Sequence, residues 1–112
     1  MGVGEIAARA YSAEAVIVRA AKTLDALWRA DLNYDLLTRA SIEVAQAQFI
    51  AIEAALRASE LIFDVGGAST TGRTHNFDRH WRNARTVANH NPRDWKVAVA
   101  GAYHLNGTEP PT

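Results

Sequence analysis

The sequence predicts an all-α protein, an up-down helical bundle. Three observations carry this. Two long alanine-rich runs repeat apolar side chains at helical steps, no stretch alternates as a strand would, and capping or helix-breaking residues gather between the runs. Residues 3 to about 31 form the first run, in which Ile6, Ala10, Ala13, Ile17, Ala20, Leu24 and Leu27 make one stripe. Val16, Ala21 and Trp28 widen that stripe on one side.

Asp31-Leu32-Asn33-Tyr34 breaks the pattern and supplies cap residues for a second helix, from about Asp35 to Val65. There Leu37, Val44, Ala51, Ala55, Ala58 and Ile62 line one face, and Phe49, Ile52, Leu56 and Phe63 lie on a neighbouring one. Apolar residues cover well over half the circumference, so burial on more than one side is expected. Gly66 stands as its C-terminal cap. Asn76 caps a third, shorter helix with Phe77, Trp81, Ala84 and Ala88 on one face and Arg79, Arg82 and Thr86 on the other. Asn91-Pro92-Arg93-Asp94 starts a fourth, expected to run to about Gly101, and Gly107, Pro110 and Pro111 mark a loose tail. The chain thus divides into one domain, 1–107, and a tail, 108–112.

A chain of 112 residues has room for one modest core. Net charge is zero, but residues 1–64 carry six basic and nine acidic side chains, and residues 65–112 six basic and three acidic. With no cysteine, disulfides and thiolate metal sites are excluded. No apolar run approaches the roughly 20 residues of a membrane span, and the N-terminus lacks the order of a signal peptide, so a cytoplasmic protein is expected.

The positive half contains Gly66-Gly67, a small polar loop and then Arg73, His75, Arg79 and Arg82. Paired glycines let backbone approach a ligand, and guanidinium groups suit an anionic one. The same residues also read as a helix cap and a solvated basic face. Neutral overall charge and the lack of a helix-turn-helix argue against nucleic acid. The spacing of His75 and His80 does not match a zinc pair, so no metal is expected. His90 precedes the Asn91-Pro92 restart, where an imidazole is either structural or an acid-base group.

Taken whole, Phe63 to Arg85 resembles a signature of the acyl-CoA dehydrogenase superfamily. That signature is a Gly-Gly pair ending a bundle helix, then a loop and an arginine-rich helix, matched here by Gly66-Gly67 and His80-Trp81-Arg82-Asn83-Ala84-Arg85. FDVGGAS, HNFDRHWRNAR, HNP and YHLNG are most similar to the flavin-dependent monooxygenase branch, the dibenzothiophene monooxygenase-like enzymes. The resemblance implies a C-terminal helical domain lacking the first bundle helix, in which Gly66 and Gly67 face the cofactor and Arg73 pairs with its phosphate. The family's glutamine before the glycine pair is Phe63 here, which favours FMN, with FAD the alternative. The dehydrogenase glutamate falls near Asn91, so the catalytic group the resemblance implies is His90, and a second histidine of that branch is Val87 here.

The superfamily's N-terminal and middle domains have no counterpart in the sequence, which therefore reads as a C-terminal fragment, a split-gene product or a truncated paralogue. Its expected partners are further copies of itself, as a dimer or tetramer, or an N-terminal companion chain. The alternative function is a non-catalytic oligomerisation module.

Overall fold

The computed structural model describes residues 2–29, 33–66, 78–90 and 93–110, with His90 and Arg93 described by their backbone alone. They form four α-helices: α1 (Gly2–Arg29), α2 (Tyr34–Gly66), α3 (Asp78–His90) and α4 (Arg93–Asn106). No strand occurs among the described residues. The all-α bundle expected from the sequence is therefore what the chain adopts.

Asn33 starts α2 as a capping residue should. Its Oδ1 accepts from the backbone N–H of Asp35 at 2.9 Å and of Leu36 at 3.2 Å, and its carbonyl accepts the first helical bond, from Leu37 at 3.0 Å. α1 and α2 run antiparallel. Gly2 lies so near the far end of α2 that a Cβ there would stand 2.5 Å from a Val65 methyl carbon. Farther along, Glu5 accepts from Arg57 at 3.1 Å and Thr23 from α1 donates to Glu43 of α2.

α2 is the hub, because α1, α3 and α4 each pack principally on it. At 3.6 residues per turn, Ala40, Ala47, Ala54 and Leu61 fall on one side and Ile42, Ala45, Leu56 and Ser59 on the opposite side, and all eight are buried. The first side meets α1. The second meets α3 beside residues 51–62 and α4 beside residues 37–46. Burial on more than one side, expected from the breadth of the apolar pattern, is thus real.

The predicted stripes need two corrections. Of the α1 stripe only Ala20 is buried, and Trp28 is 87% exposed, because α1 has a single neighbour to lie against. On α2 the residues Leu37, Val44, Ala51, Ala55, Ala58 and Ile62 lie between the two buried sides. They floor open hollows, and Leu37 remains 42% exposed.

α4 also differs from expectation. It continues through Gly101 to Asn106, since helix formers follow that glycine with no break. The real stop is Gly107, at φ 69°, whose N–H bonds the Tyr103 carbonyl at 2.8 Å. The tail is not loose through Pro110. It turns back so that Tyr34 Oη donates to Glu109 at 2.6 Å and Pro110 lines a hollow with Leu24 and Leu37.

Two predictions follow from this packing. Leu61→Ala, at a site 4% exposed, lowers the unfolding free energy by about 2–4 kcal/mol in urea titration, whereas Leu105→Ala, at 84% exposure, stays within about 0.5 kcal/mol. Hydrogen bonds from Arg9 and then Arg57 hold the Glu5 carboxyl below its usual 4.5. A lowered folded-state pKa gives stability that is present above that usual value and lost as pH falls through the lowered one. Thermal melts between pH 6 and pH 2 should therefore show a shallower acid decline for Glu5→Gln than for the parent.

Candidate functional site

Of the residues singled out from the sequence, Gly66 stands at the C-terminal end of α2 and His90 at the C-terminal end of α3. Gly66 is the last residue of α2 and is exposed, so no Cβ stands in front of the backbone at that end. Gly67 and Arg73 lie outside the described residues. His90 closes α3, and α4 resumes at Arg93, so the predicted helix-helix junction is present. The His90 side chain lies outside the description as well.

The arginines of α3 divide between two roles. Arg82 pairs with Asp78 one turn earlier at 3.1 Å, and its carbonyl accepts from Thr86 Oγ1 at 2.9 Å. Arg85 lies with its guanidinium 5.8 Å from the centre of the Trp81 ring, within reach of a cation–π contact. Arg79 and Arg82 are solvent-facing, and Ala88 at 3% exposure is the most buried residue of α3. The predicted division of this helix into an apolar and a basic face is thus present.

Between α1, α2 and α3 lies an open hollow of about 490 Å³, floored by Ala51, Ala55, Ala58 and Ile62 and walled by Ile6 and Val87. Ser59 of α2 lies in its lining, and two polar side chains of α3 border it, His80 and Asn83. In the sequence His80 reads as a histidine with no zinc-pair spacing and as the start of the family signature, not as the border of a hollow. Its spacing with Asn83, Ala84 and Val87, at steps of three and four, is the signal that these four share the side of α3 that borders the hollow. A second hollow of about 310 Å³ continues along the same side of α2, between Leu37, Val44, Trp95 and Val99. Gln48 lies between these stretches of α2, and its Oε1 is buried without a partner among the described residues. Among those residues no three His, Asp or Glu side chains converge as a metal site would need.

His104, placed by the sequence beside a loose tail, stands in the last turn of α4. Its Nε2–H donates to Gln46 Oε1 at 2.7 Å, which ties α4 to α2. His104→Ala is therefore expected to cost about 0.5–1.5 kcal/mol of stability in urea titration, the worth of one intramolecular hydrogen bond.

The chain is similar to known proteins over almost its whole length. Residues 1–95 match the model of the family described as acyl-CoA dehydrogenase, C-terminal domain. A dibenzothiophene monooxygenase of Mycolicibacterium goodii is 36% identical over 112 residues, covering 96% of this chain and 26% of the relative. A probable FMNH2-dependent monooxygenase, SfnC, of Pseudomonas putida is 34% identical over 109 residues, covering 96% of this chain and 28% of the relative. Among solved structures, the dibenzothiophene monooxygenase TdsC of Paenibacillus sp. A11-2 superposes with a TM-score of 0.87 at 29% identity, over 96% of this chain and 28% of that one. The chain thus spans about a quarter of the length of these relatives. With 1–95 matched by the family's model and the helices superposing on a solved relative, the chain belongs to the acyl-CoA dehydrogenase C-terminal domain family.

Proposed function

We propose that the chain is the C-terminal helical domain of a reduced-flavin-dependent monooxygenase, working together with the remainder of such an enzyme. The observation that carries this reading is the uncovered side of α2. Its two aligned hollows have floors spanning residues 37–62, a length of about 38 Å at the helical rise. A surface of that shape and chemistry fits further protein, and the monooxygenases similar to this chain extend well beyond the quarter it covers.

For a flavin the described residues fit in one place. The exposed Gly66 leaves backbone approachable, and the next helix carries solvent-facing Arg79. The hollows themselves do not suit its phosphate, since hydrocarbon dominates their walls. In this reading Gly66 and Gly67 bring backbone to the cofactor, FMN (or FAD), and Arg73 grips its phosphate bidentately. Reduced flavin, when bound, supplies the electrons that activate dioxygen. His90, at the end of α3, holds or moves a proton near neutral pH. The family glutamate has no counterpart at Asn91, so α-proton abstraction from an acyl thioester lacks its base.

A second reading, a non-catalytic oligomerisation module, is favoured by the exposed apolar side chains of α1. The two separate by colour: a flavin absorbance that co-purifies with the assembled protein belongs to the first alone.

One experiment tests the catalytic reading. The chain is co-expressed with the N-terminal three quarters of a related monooxygenase, and flavin-dependent oxygenation is assayed. His90→Ala should lower turnover by about 10²–10⁴, the usual contribution of a positioned acid-base group, while leaving helix content unchanged. Full activity in that variant would assign His90 a structural role. Alone, the chain should quench FMN fluorescence only above micromolar concentrations, because one wall of a site must still overcome the cost of association.

A further inference from the structure

After α4 the chain reverses on Gly107, at φ 69°, and residues 108–110 run back along the helix they have just left. Thr108 directs its N–H at the Ala102 carbonyl at 3.4 Å, and Pro110 shares a hollow with Trp95 and Lys96 of the first turn of α4. The segment is a strap, and it does not lie flush. Between it and α4 is a hollow of about 290 Å³, floored by Trp95, Ala98, Val99 and Ala102 and roofed by Thr108 and Glu109.

The strap has few attachments. Among the described residues, its side chains make one hydrogen bond, from Tyr34 Oη to Glu109 at 2.6 Å. Tyr34 opens α2 directly after the Asn33 cap, so this post is fixed to the hub helix. Accepting that bond, Glu109 raises the Tyr34 pKa above its usual 10, and the hydroxyl stays a donor. The Thr108 contact is long for a backbone bond, and Pro110 has no N–H to add. At the turn itself there is room to move. A Cβ on Gly107 would meet nothing within 4 Å, and left-handed backbone costs glycine little.

We propose that residues 107–110 are a lid, hinged at Gly107 and latched by Tyr34 to Glu109, that opens and closes the apolar hollow on α4. A fixed cap would pack down on Ala98 and Ala102 and leave no space beneath it, as protein interiors do. Four residues held over an unfilled space by one exposed bond are instead a low-stability part of the fold. Tyr34 is 59% exposed, so water competes for its hydroxyl and the latch is easily released. Release acts on two places at once. It lifts the roof over Val99 and Ala102, and it withdraws Pro110 from the hollow it borders with Leu24 and Leu37. The assignment rests on α4, its strap and Tyr34, and stands whether or not the chain binds flavin.

The test measures access to the hollow by thiol labelling, since the chain has no cysteine of its own. Val99→Cys sets a thiol in the floor of the hollow, and Val97→Cys sets one on α4 clear of the strap, at a site 44% exposed. Tyr34→Phe should speed maleimide labelling of Val99→Cys about three- to tenfold, the worth of one hydrogen bond, and leave Val97→Cys unchanged. Glu109→Ala should act as Tyr34→Phe does, and the two together no further, because both break the same bond. In the chain without added cysteine, the Thr108 amide should exchange with deuterium faster in Tyr34→Phe by the same factor. Equal labelling of Val99→Cys with and without Tyr34→Phe would overturn the lid. So would an equal gain at Val97→Cys, the sign that α4 as a whole had loosened, or an unchanged exchange rate at Thr108.

Discussion

Everything in this fold depends on α2 being buried along two opposite sides. A helix can meet neighbours on both sides only if its side chains leave room, and here small residues supply it: Ala40, Ala47 and Ala54 toward α1, Ala45 and Ser59 toward α3 and α4. Close approach has a cost in hydrophobic area. Burial contributes about 25 cal/mol per Å² of apolar surface, and an alanine methyl offers little of it. Larger side chains, such as Ile17, Leu37, Trp28 and Trp95, are left partly or wholly in solvent. The chain packs tightly at its centre while much of its apolar surface stays on the outside. That distribution leaves large apolar side chains open to contact from beyond the chain.

With so little buried bulk, register is set by polar links between helices. Glu5 joins Arg57, Thr23 joins Glu43 and His104 joins Gln46, and Tyr34 joins Glu109 of the segment after α4. Each is exposed or half-exposed, so its net contribution to stability is small. Their effect is directional. A slide of α1 or α4 by one turn along α2 breaks these bonds while leaving alanine-on-alanine contact almost unchanged. The Glu5–Arg57 link lies entirely within the first half.

How much of this was legible in the sequence follows from what kind of information each feature needs. The helices and their caps depend on local chemistry, so Asn33, the glycine end of α2 and the α3–α4 junction could be read directly. The end of α4 was misplaced because Gly101 and Gly107 look alike in sequence, and only the second adopts the left-handed conformation that stops a helix. Which face of α2 is innermost could not be read from periodicity, because apolar residues surround most of the helix. The stripe from Leu37 to Ile62 is the most regular, yet it is the one left uncovered. Partner identity, unlike periodicity, is not a local property. At the candidate site, family likeness supplied Gly66, Gly67, Arg73 and His90. The polar border of the hollow, His80 and Asn83, depended on how α3 is rotated against α2.

The rotation of α3 bears on the chemistry. Ala84, Ala88 and Val87 must face or flank α2 for α3 to pack at all, and that requirement turns Arg79 and Arg82 outward. Their cationic groups therefore stand clear of the hollow, while His80 and Asn83 occupy its edge. A helix that needed to coat an apolar partner along its whole length would have no use for that polar edge. One that ends a wall, with protein on one side and a charged small molecule on the other, needs both surfaces at once. The composition of α3, basic outward and alanine-rich inward, is what such a boundary helix requires, and it stands next in the chain after the glycine end of α2.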